Sequence, residues 1–456
     1  MFEPLYSAAE MRAAEERYPG YPDTVPELMD RAGRAVADVV LRDFPDAGRI
    51  TVVCGSGNNG GDGRIAARYL EAAGREVLVV DSKPEDEEKD LGDPDLIVDA
   101  LFGTGFSGAP RPGAARLIER MNAWSAAEVV AVDVPSGVDA STGEAAGAAV
   151  EAAATVTFHA AKVGLHVTPG GFHAGRIHVA DIGLSRIGAD IARVGWEIGS
   201  LVPRRGARDT KYSAGTVLVV GGSRGMTGAA ALAARAAFRA DAGYVAIAAP
   251  AESLPVLETL VLEAVKRPLE EVGDAVARAG ALALGPGLGR DPDKQALVRR
   301  LLETTDLPAV VDADALFELE PFDRAAPTVL TPHSGELARL LGVESAWVDA
   351  HRLEAVRRAV ERFRCVVLLK GWGTIVGAPG HGELVCRGSV RLATAGTGDV
   401  LTGIVGAFLA KGMDARLAAA AGATVHARAA LESGKSAGMV ASDVIEALPL
   451  ALDAIE

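Results

Sequence analysis

Short apolar runs alternate with helical stretches through both halves of the chain. In the first half, the runs that predict strands are RITVVC, EVLVVD, DLIVDALF, EVVAVDVP, AATVTFHA and GRIHVADIG. In the second half they are GTVLVVGG, YVAIAAP, ALALGPG, AVVDAD, TVLTPH and CVVLLKG. Because strand–helix alternation lays successive strands side by side in one direction, the pattern predicts parallel sheets with helices on both faces.

The pattern is interrupted around SLVPRRGARDTKYSAG, a basic segment that contains proline and glycine. On either side lie predicted helices such as RIAARYLEAAG, TGAAALAARAAFRADAG and GDVLTGIVGAFLAKG. A chain of 456 residues exceeds the size of one ordinary core. We therefore predict an α/β protein of two three-layer αβα domains, residues 1–204 and 205–456, the first with a Rossmann-like sheet.

The charge balance narrows the classes of partner. Lysine and arginine number 46 against 61 aspartate and glutamate, which gives a net charge of −15. This imbalance disfavours nucleic acid and anionic membranes as partners and favours small molecules. An anionic ligand would then need local N–H donors rather than a basic face.

Cysteine usage and the first residues bear on the compartment. The three cysteines, Cys54, Cys365 and Cys386, show neither metal-ligand spacing nor a disulfide framework, as is usual in a reducing cytoplasm. The start, MFEPLYSAAEMRAAEERYPG, has the pattern of a charged amphipathic helix rather than of a signal peptide. No apolar run approaches membrane-spanning length. We expect a cytoplasmic protein.

A glycine-rich turn follows the first strand and permits two interpretations. Gly55, Gly57 and Gly60 form a G-x-G-x-x-G, and Asp81 ends the next apolar run, which is the spacing of a dinucleotide-binding turn. A pyrophosphate site needs bare N–H groups where the helix begins, whereas this helix begins with two asparagines and Asp62. Asp62 is better suited to a hydroxyl or backbone partner than to a phosphate, so a dehydrogenase is disfavoured.

Polar side chains of the first half gather where strands end. They are Asn58, Asn59, Asp62, Asp99, Asp133, Ser136, Asp139 and Lys162. Singly, the glycines and asparagines are explained as turn formers, and the aspartates as helix caps. Together they predict one rim at the carboxyl edge of a sheet, where ligands of open α/β sheets bind. Oxygen ligands on such a rim can hold a hard cation.

The second half has four such strand ends, in GPGLGRD, LTPHSGE, LLKGWGT and TAGTGD. In the last, Gly396, Thr397 and Gly398 precede Asp399 at the start of an apolar helix. Free N–H groups at a helix start stabilise a phosphoryl group, and an adjacent carboxylate can accept a hydroxyl proton. In isolation, His333 fits a packed histidine, Lys370 a solvated strand end, and Asp399 a residue favoured by the helix dipole.

The motifs GSGNNGGDG, DALFGTGFSG, AVDVPSGVD and TFHAAKVGLH, in this order, resemble the epimerase domain that acts on the hydrated nicotinamide nucleotides NADHX and NADPHX. The resemblance implies K⁺ held by Asn59, Asp99 and Ser136. Asp133 and Lys162 are candidates for proton transfer, because inverting the hydroxyl-bearing carbon calls for an acid and a base on opposite sides. The implied substrate contacts are Asn58, Asn59, Gly60, Gly61, Asp62, Gly103, Thr104, Gly105, Phe106, Ser107, Gly108, Ala109 and Asp133.

The second half resembles the NAD(P)HX dehydratases, which have a ribokinase-like fold, in KYSAGTVLVVGGSRGMTGAA, LGPGLGRD, LTPHSGE, LLKGWGT and TAGTGDVLTG. The resemblance implies that Gly287, His333 and Asp399 contact the hydrated nucleotide, with Asp399 as the base. It implies an adenine nucleotide with Mg²⁺, ADP or ATP, in contact with residues of the two loops that contain Lys370–Thr374 and 389–398. In those loops the expected contacts are Lys370, Gly371, Trp372, Gly373, Thr374, Thr394, Ala395, Gly396, Thr397 and Gly398.

Together the two resemblances imply a bifunctional repair enzyme whose partners are NADHX or NADPHX and ADP or ATP, and we expect a homo-oligomer. Two alternatives remain at this point. One is a kinase of a small vitamin or sugar alcohol, fused to a nucleotide-binding regulatory domain. The other is a first domain that binds a nucleotide or a partner without chemistry.

Overall fold

The computed structural model describes residues 1–82 and 90–453, which form two compact units. The first unit is Pro4–Ala192 with Asp349–His351, and the second contains the rest of the described chain. The chain passes from the first unit into the second after Ala192, which is before the boundary between residues 204 and 205 that the sequence predicted. The reason is that the strand Ile191–Val194 is hydrogen-bonded into the sheet of the second unit.

Seventeen strands are described. They are β1 (Phe2–Leu5), β2 (Arg49–Cys54), β3 (Glu76–Asp81), β4 (Leu96–Ala100), β5 (Glu128–Val132), β6 (Ala154–Phe158), β7 (Arg176–Ala180), β8 (Ile191–Val194), β9 (Thr216–Val220), β10 (Tyr244–Ala249), β11 (Val265–Pro268), β12 (Ala281–Leu284), β13 (Ala309–Val311), β14 (Thr328–Leu330), β15 (Val366–Leu369), β16 (Gly373–Ala378) and β17 (His381–Arg387).

Fifteen α-helices accompany the strands in the described chain. They are α1 (Ala8–Glu16), α2 (Val25–Asp43), α3 (Asn58–Ala72), α4 (Pro112–Ala123), α5 (Gly170–His173), α6 (Thr227–Arg239), α7 (Leu254–Leu260), α8 (Val272–Val276), α9 (Pro292–Thr304), α10 (Ser334–Leu341), α11 (Ser345–Ala350), α12 (Arg352–Phe363), α13 (Thr397–Ala410), α14 (Ala415–Glu432) and α15 (Ala441–Asp453).

The sheet of the first unit has the order β3-β2-β4-β5-β6-β7, and its strand pairs are parallel. Alternate residues of one strand enter different cores. Val52 packs in the cluster that contains residues of α2 and α3, whereas Val53 packs in the cluster that contains residues of α4. Successive side chains of β2 point to opposite faces of the sheet, and both faces are covered. β2 is therefore an uninterrupted apolar run.

The second sheet has the order β1-β8-β17-β16-β15-β14-β13-β12-β9-β10-β11. From β15 back to β11 the pairs are parallel, while β15–β16 and β16–β17 are antiparallel. α13 lies against α6, and an ideal Cβ at Gly403 would stand 2.1 Å from the Ala233 carbonyl oxygen. The missing side chain is therefore what permits this close approach of two helices.

The predicted α/β class with parallel, two-face-covered sheets is confirmed. The amphipathic helix expected at the start is only partly correct: β1 comes first, and α1 begins after Ser7, whose hydroxyl and the Glu10 carboxylate form a capping box. Among the described residues, no helix is both long and apolar enough to cross a bilayer.

Candidate functional sites

A cavity of about 680 Å³ lies at the carboxyl edge of the first sheet. Most residues that the sequence assigned to a substrate line it: Asn58, Asn59, Asp62, Gly103, Thr104, Gly105, Phe106, Ser107, Ala109 and Asp133. The lining does not include Gly60, Gly61 or Gly108. At Gly60 an ideal Cβ would stand 1.9 Å from the Gly55 carbonyl oxygen, so this glycine lets the turn close. The side chain of Asp81 bonds to Arg64 instead of facing a ribose, with Nε to Oδ1 at 3.0 Å.

The three residues expected to hold a cation converge on one point beside this cavity. The Ser136 hydroxyl donates to Asp99 Oδ1 at 2.7 Å, and the Ser136 amide donates to Oδ2 at 2.8 Å. The Asn59 amide group donates to the Phe102 carbonyl at 2.9 Å, which leaves its Oδ1 buried without a partner. Burial raises the pKa of Asp99 to about 6, against the hydrogen bonds from Ser136.

An orphaned amide oxygen among carbonyl, hydroxyl and carboxylate oxygens is a donor set that suits an alkali cation. The oxygens of Asn59, Phe102, Ser136 and Asp99 therefore fit K⁺. Within the described ranges, no group of three or more His, Cys, Asp or Glu is placed to hold a metal.

Asp133 and Lys162 form a buried ion pair, with 2.8 Å between Nζ and Oδ1 and a lysine side chain that is 0% exposed. Lys162 also donates to Thr157 Oγ1 at 2.9 Å and to the Phe158 carbonyl at 2.8 Å. The expectation that these groups stand on opposite sides of a reacting carbon is wrong. Their direct contact places both charges on one side.

Asp133 is fixed at a strained point of the chain, since its φ of 66° lies in the left-handed region that non-glycine residues rarely adopt. Its Oδ2 accepts from the Thr104 amide at 3.3 Å, and its Oδ1 accepts from the Thr157 hydroxyl at 3.1 Å. The carboxylate is thus oriented from several sides. Backbone strain that the surroundings maintain is frequent at functional sites.

Two further carboxyl groups line the same cavity. Asp62 is 8% exposed, and its carboxyl group has no hydrogen-bond partner within the described chain. Burial followed by the charges of Asp133 and Glu15 raises its pKa well above the ordinary value. Burial and the charge of Asp133 also raise the pKa of Glu15. The sequence identified Asp62, but it gave no sign of Glu15, which reaches the cavity from α1.

In the second unit, a glycine turn precedes α13, as the sequence predicted. We refer to residues 396–399, at the start of this helix, as the mouth of α13. Gly396 has a φ of 86° and precedes the helix, whose first turn contains Gly398 and Asp399. The Thr397 hydroxyl donates to the carbonyls of Leu392 at 2.8 Å and Thr394 at 2.9 Å, which fixes the loop that leads into the helix. The helix therefore starts with its first amides near a carboxyl group.

Asp399 lies in a cluster of acidic groups around one lysine. The Lys370 ammonium is 2.7 Å from Asp312 Oδ1 and 3.6 Å from Glu336 Oε2. Burial and then the charge of Asp312 raise the pKa of Asp399 to about 7. Burial alone would lower the pKa of Lys370, but Asp312 and Glu336 raise it above its ordinary value. A carboxyl with a pKa near neutrality is suited to act as a general base.

Asp312 was not singled out from the sequence, where it ended an apolar run. It is 1% exposed, and the Thr402 hydroxyl donates to its Oδ2 at 2.6 Å. Lys370 Nζ would stand 3.5 Å from a Cβ at Gly398, so the ammonium lies beside the first turn of α13. Lys370 is therefore not a solvated strand end.

His333 is an exposed cap of α10: its Nδ1 accepts from the Gly335 amide at 3.0 Å, and its own amide donates to Glu336 Oε2 at 2.8 Å. Gly287 has a φ of 59°, and its carbonyl accepts from the Ser223 amide at 2.7 Å. No described contact joins His333 or Gly287 to Asp399. Whether these three residues share a substrate stays a prediction.

Family models match both halves. The family described as NAD(P)H-hydrate dehydratase matches residues 217–450, and the family described as the YjeF-related protein N-terminus matches residues 25–93 and 78–164. Among curated proteins, a bifunctional NAD(P)H-hydrate repair enzyme of Moorella thermoacetica is 38% identical, with 99% of this chain and 97% of that one covered. Its namesake in Escherichia coli is 37% identical, with coverage of 93% and 89%.

A solved structure supports the predicted ribokinase-like sheet. The ADP/ATP-dependent NAD(P)H-hydrate dehydratase of Bacillus subtilis, co-crystallised with ATP and Mg²⁺, is 29% identical and gives a TM-score of 0.53. It covers 57% of this chain and 96% of its own. Because the relatives match over nearly the full length and both family models match in order, the chain belongs to the family of bifunctional NAD(P)H-hydrate repair enzymes.

Proposed function

We propose that the first unit interconverts the R and S forms of NADHX and NADPHX, and that the second dehydrates the S form to NADH or NADPH with ADP or ATP as phosphoryl donor. The observation that carries this proposal is the placement of Asp399, with a pKa of about 7, in the first turn of α13 behind Gly396 and Gly398.

In the second unit, Asp399 accepts the proton of the ring hydroxyl, and the hydroxyl oxygen attacks the terminal phosphorus of the nucleotide. The bond from that phosphorus to the nucleotide breaks, and the amides of the first turn of α13 stabilise the charge on the phosphoryl oxygens. The carbon–oxygen bond to the new phosphate ester then breaks with assistance from the ring nitrogen. A proton is lost from the neighbouring carbon, which restores the dihydropyridine and releases phosphate and AMP or ADP.

Mg²⁺ neutralises phosphate charge during such a transfer. The carboxylates of Asp312 and Glu336, which flank Lys370 beside the mouth, would hold it together with phosphate oxygens. The nucleotide contacts are proposed for the loop Lys370–Thr374 and for residues 389–398. Gly287 and His333 are proposed to contact the hydrated ring.

In the first unit, we assign one proton transfer to Asp133, with Lys162 as the cation that pairs with its carboxylate and holds it in place. Since both charges lie on one side, a second group is required for inversion. Asp62 is our candidate, because it lines the same cavity, is buried and has a raised pKa, as a proton donor near neutral pH needs.

K⁺ is proposed at the oxygens of Asn59, Asp99, Ser136 and Phe102. A cation there would draw together the strand ends that carry the cavity wall. The protein is proposed to be cytoplasmic and to form a homo-oligomer.

The test is to incubate the purified chain with a mixture of both epimers, ADP or ATP, Mg²⁺ and K⁺, and to follow the absorbance of the reduced nicotinamide together with free phosphate. Full recovery of both epimers with equimolar phosphate supports the proposal. Accumulation of a phosphorylated organic product would indicate the kinase, and repair of only the S epimer would leave the first unit as a binding module.

A further inference from the structure

Arg352 is the first residue of α12 and is only 5% exposed. A positive charge is disfavoured at this end of a helix, because the amides of the first turn carry the positive pole of the helix dipole. Buried arginines also need partners for their N–H groups. The position therefore calls for an explanation outside the helix itself.

The guanidinium group is directed at the loop between β15 and β16. Its Nη2 donates to the carbonyl of Lys370 at 3.0 Å, of Gly373 at 3.3 Å and of Leu369 at 3.4 Å. Its Nη1 reaches the Ser334 hydroxyl at 3.4 Å. One rigid fork thus contacts carbonyls on both sides of the loop and fixes their direction.

The same guanidinium group also lies close to Gly371. An ideal Cβ at this residue would stand 2.5 Å from Nη2 of Arg352. The Gly371 carbonyl accepts from the Thr374 hydroxyl at 3.0 Å, while its N–H has no acceptor among the residues the structure describes. With the carbonyls of Lys370, Gly371 and Gly373 taken by internal partners, the loop keeps the Gly371 amide available for a ligand.

The loop lies next to the mouth of α13, since Lys370 Nζ is close to Gly398. We propose that Arg352 is a positioning residue for the phosphoryl-donor nucleotide: it holds the loop Lys370–Thr374 in the conformation that binds the nucleotide, without contacting the nucleotide itself. This inference rests on the proposed dehydratase function of the second unit and names a residue on which that site depends.

Loss of the fork lets the carbonyls of Lys370 and Gly373 turn, so the loop must be ordered again at each binding event. That cost falls on nucleotide affinity, whereas the bound complex keeps Asp399 and the helix mouth unchanged. Arg352→Ala should therefore weaken Mg–ADP binding by about tenfold or more, as expected for loss of hydrogen bonds from a charged donor, with a much smaller fall in kcat.

The experiment measures Mg–ADP binding by calorimetry and dehydration kinetics on the full chain. Arg352→Lys, which keeps the charge but not the fork, should give an intermediate affinity, and added guanidinium ion should restore part of the affinity of Arg352→Ala. The matched control is Arg358→Ala on the same helix, whose side chain pairs with Glu354 at 2.7 Å on the surface. It should bind ADP as the unchanged protein does.

A double-mutant cycle then separates positioning from general damage. Gly371→Ala should weaken ADP binding in the unchanged protein, but it should add little to Arg352→Ala, because the guanidinium it collides with is gone. The thermal unfolding of each variant reports the folding of the second unit, in which both substitutions lie. Unaltered ADP affinity in Arg352→Ala, or fully additive effects in the cycle, would overturn the inference. An unchanged protein that binds ADP but does not dehydrate would instead refute the proposed function.

Discussion

The ammonium of Lys162 lies 2.8 Å from a carboxylate oxygen of Asp133, and the lysine side chain is shielded from solvent. Each of these charges is stable in its buried position only because the other is present. Removing either one leaves an uncompensated charge in the wall of the cavity. The pair is thus a single unit for the stability of the first unit.

Asp133→Asn should reduce epimerisation by about a hundredfold or more, because a carboxamide cannot exchange a proton in the same way. Dehydration of the S epimer should continue at the unchanged rate. The two epimers can be separated by chromatography during the reaction. Repair of the R epimer at its normal rate would contradict the role of Asp133.

Asp62→Asn should also slow epimerisation, because a carboxamide cannot supply the proton that this buried carboxyl group, with its raised pKa, can donate. Asp81→Asn is the matched control: its side chain pairs with Arg64 near the surface. It should leave the rate unchanged. Equal rates for Asp62→Asn and the unchanged protein would exclude Asp62 as the second group.

Potassium should increase both the epimerisation rate and the melting temperature more than sodium at equal ionic strength, because ligand binding to the folded state stabilises it. Ser136→Ala removes one oxygen and the hydrogen bond to Asp99, and should weaken the response to potassium. Dehydration of the S epimer serves as the control reaction. Identical responses to the two cations would contradict the proposed ion site.

Dehydration should increase with pH through about 7, since Asp399 must be ionised to accept the hydroxyl proton. Asp399→Asn should abolish recovery of the reduced nicotinamide at every pH. The same variant should be more stable to heat than the unchanged protein, because folding disfavours the charge on this carboxylate.

The direction in which the stability of Asp399→Asn depends on pH follows from the linkage between proton binding and folding. The folded state binds the proton more tightly than the unfolded state, so the destabilisation by Asp399 grows as the pH rises and is complete above about 7. The gain in melting temperature of Asp399→Asn should be larger at pH 8 than at about pH 5. A larger gain at the lower pH would show that the pKa is not raised.

Gly403→Ala should destabilise the second unit by about 1–3 kcal/mol, because the new methyl group collides with the Ala233 carbonyl across α6 and α13. Gly228→Ala is the control, since an added Cβ there meets no atom within 4 Å. It should leave stability unchanged or raise it by about 0.5–1 kcal/mol through helix propensity. Thermal unfolding of both variants tests the difference.

Twelve of the seventeen described strands and their carboxyl ends were predictable, because each apolar run stops at a polar or glycine turn. The sequence analysis did not predict β1, β8, β11, β16 and β17. The mouth of α13 followed from Gly396 and Asp399 for the same reason. The family resemblance added the expected roles. These features are local in the chain, and a local pattern suffices to identify them.

Long-range partners were not predictable. Asp312 and Lys370 are 58 positions apart, and only the parallel order of β13, β14 and β15 brings them together. Arg352 resembles any charged helix residue until its carbonyl partners are known. The opposite-side placement of Asp133 and Lys162 was wrong because a sequence does not show how far a buried lysine reaches.

Because one chain continues from the first unit into the second after Ala192, the numbers of the two sites are linked. Every copy that a cell makes supplies both sites in equal number, whatever the level of synthesis or degradation. Unequal expression therefore cannot change the ratio of the two sites.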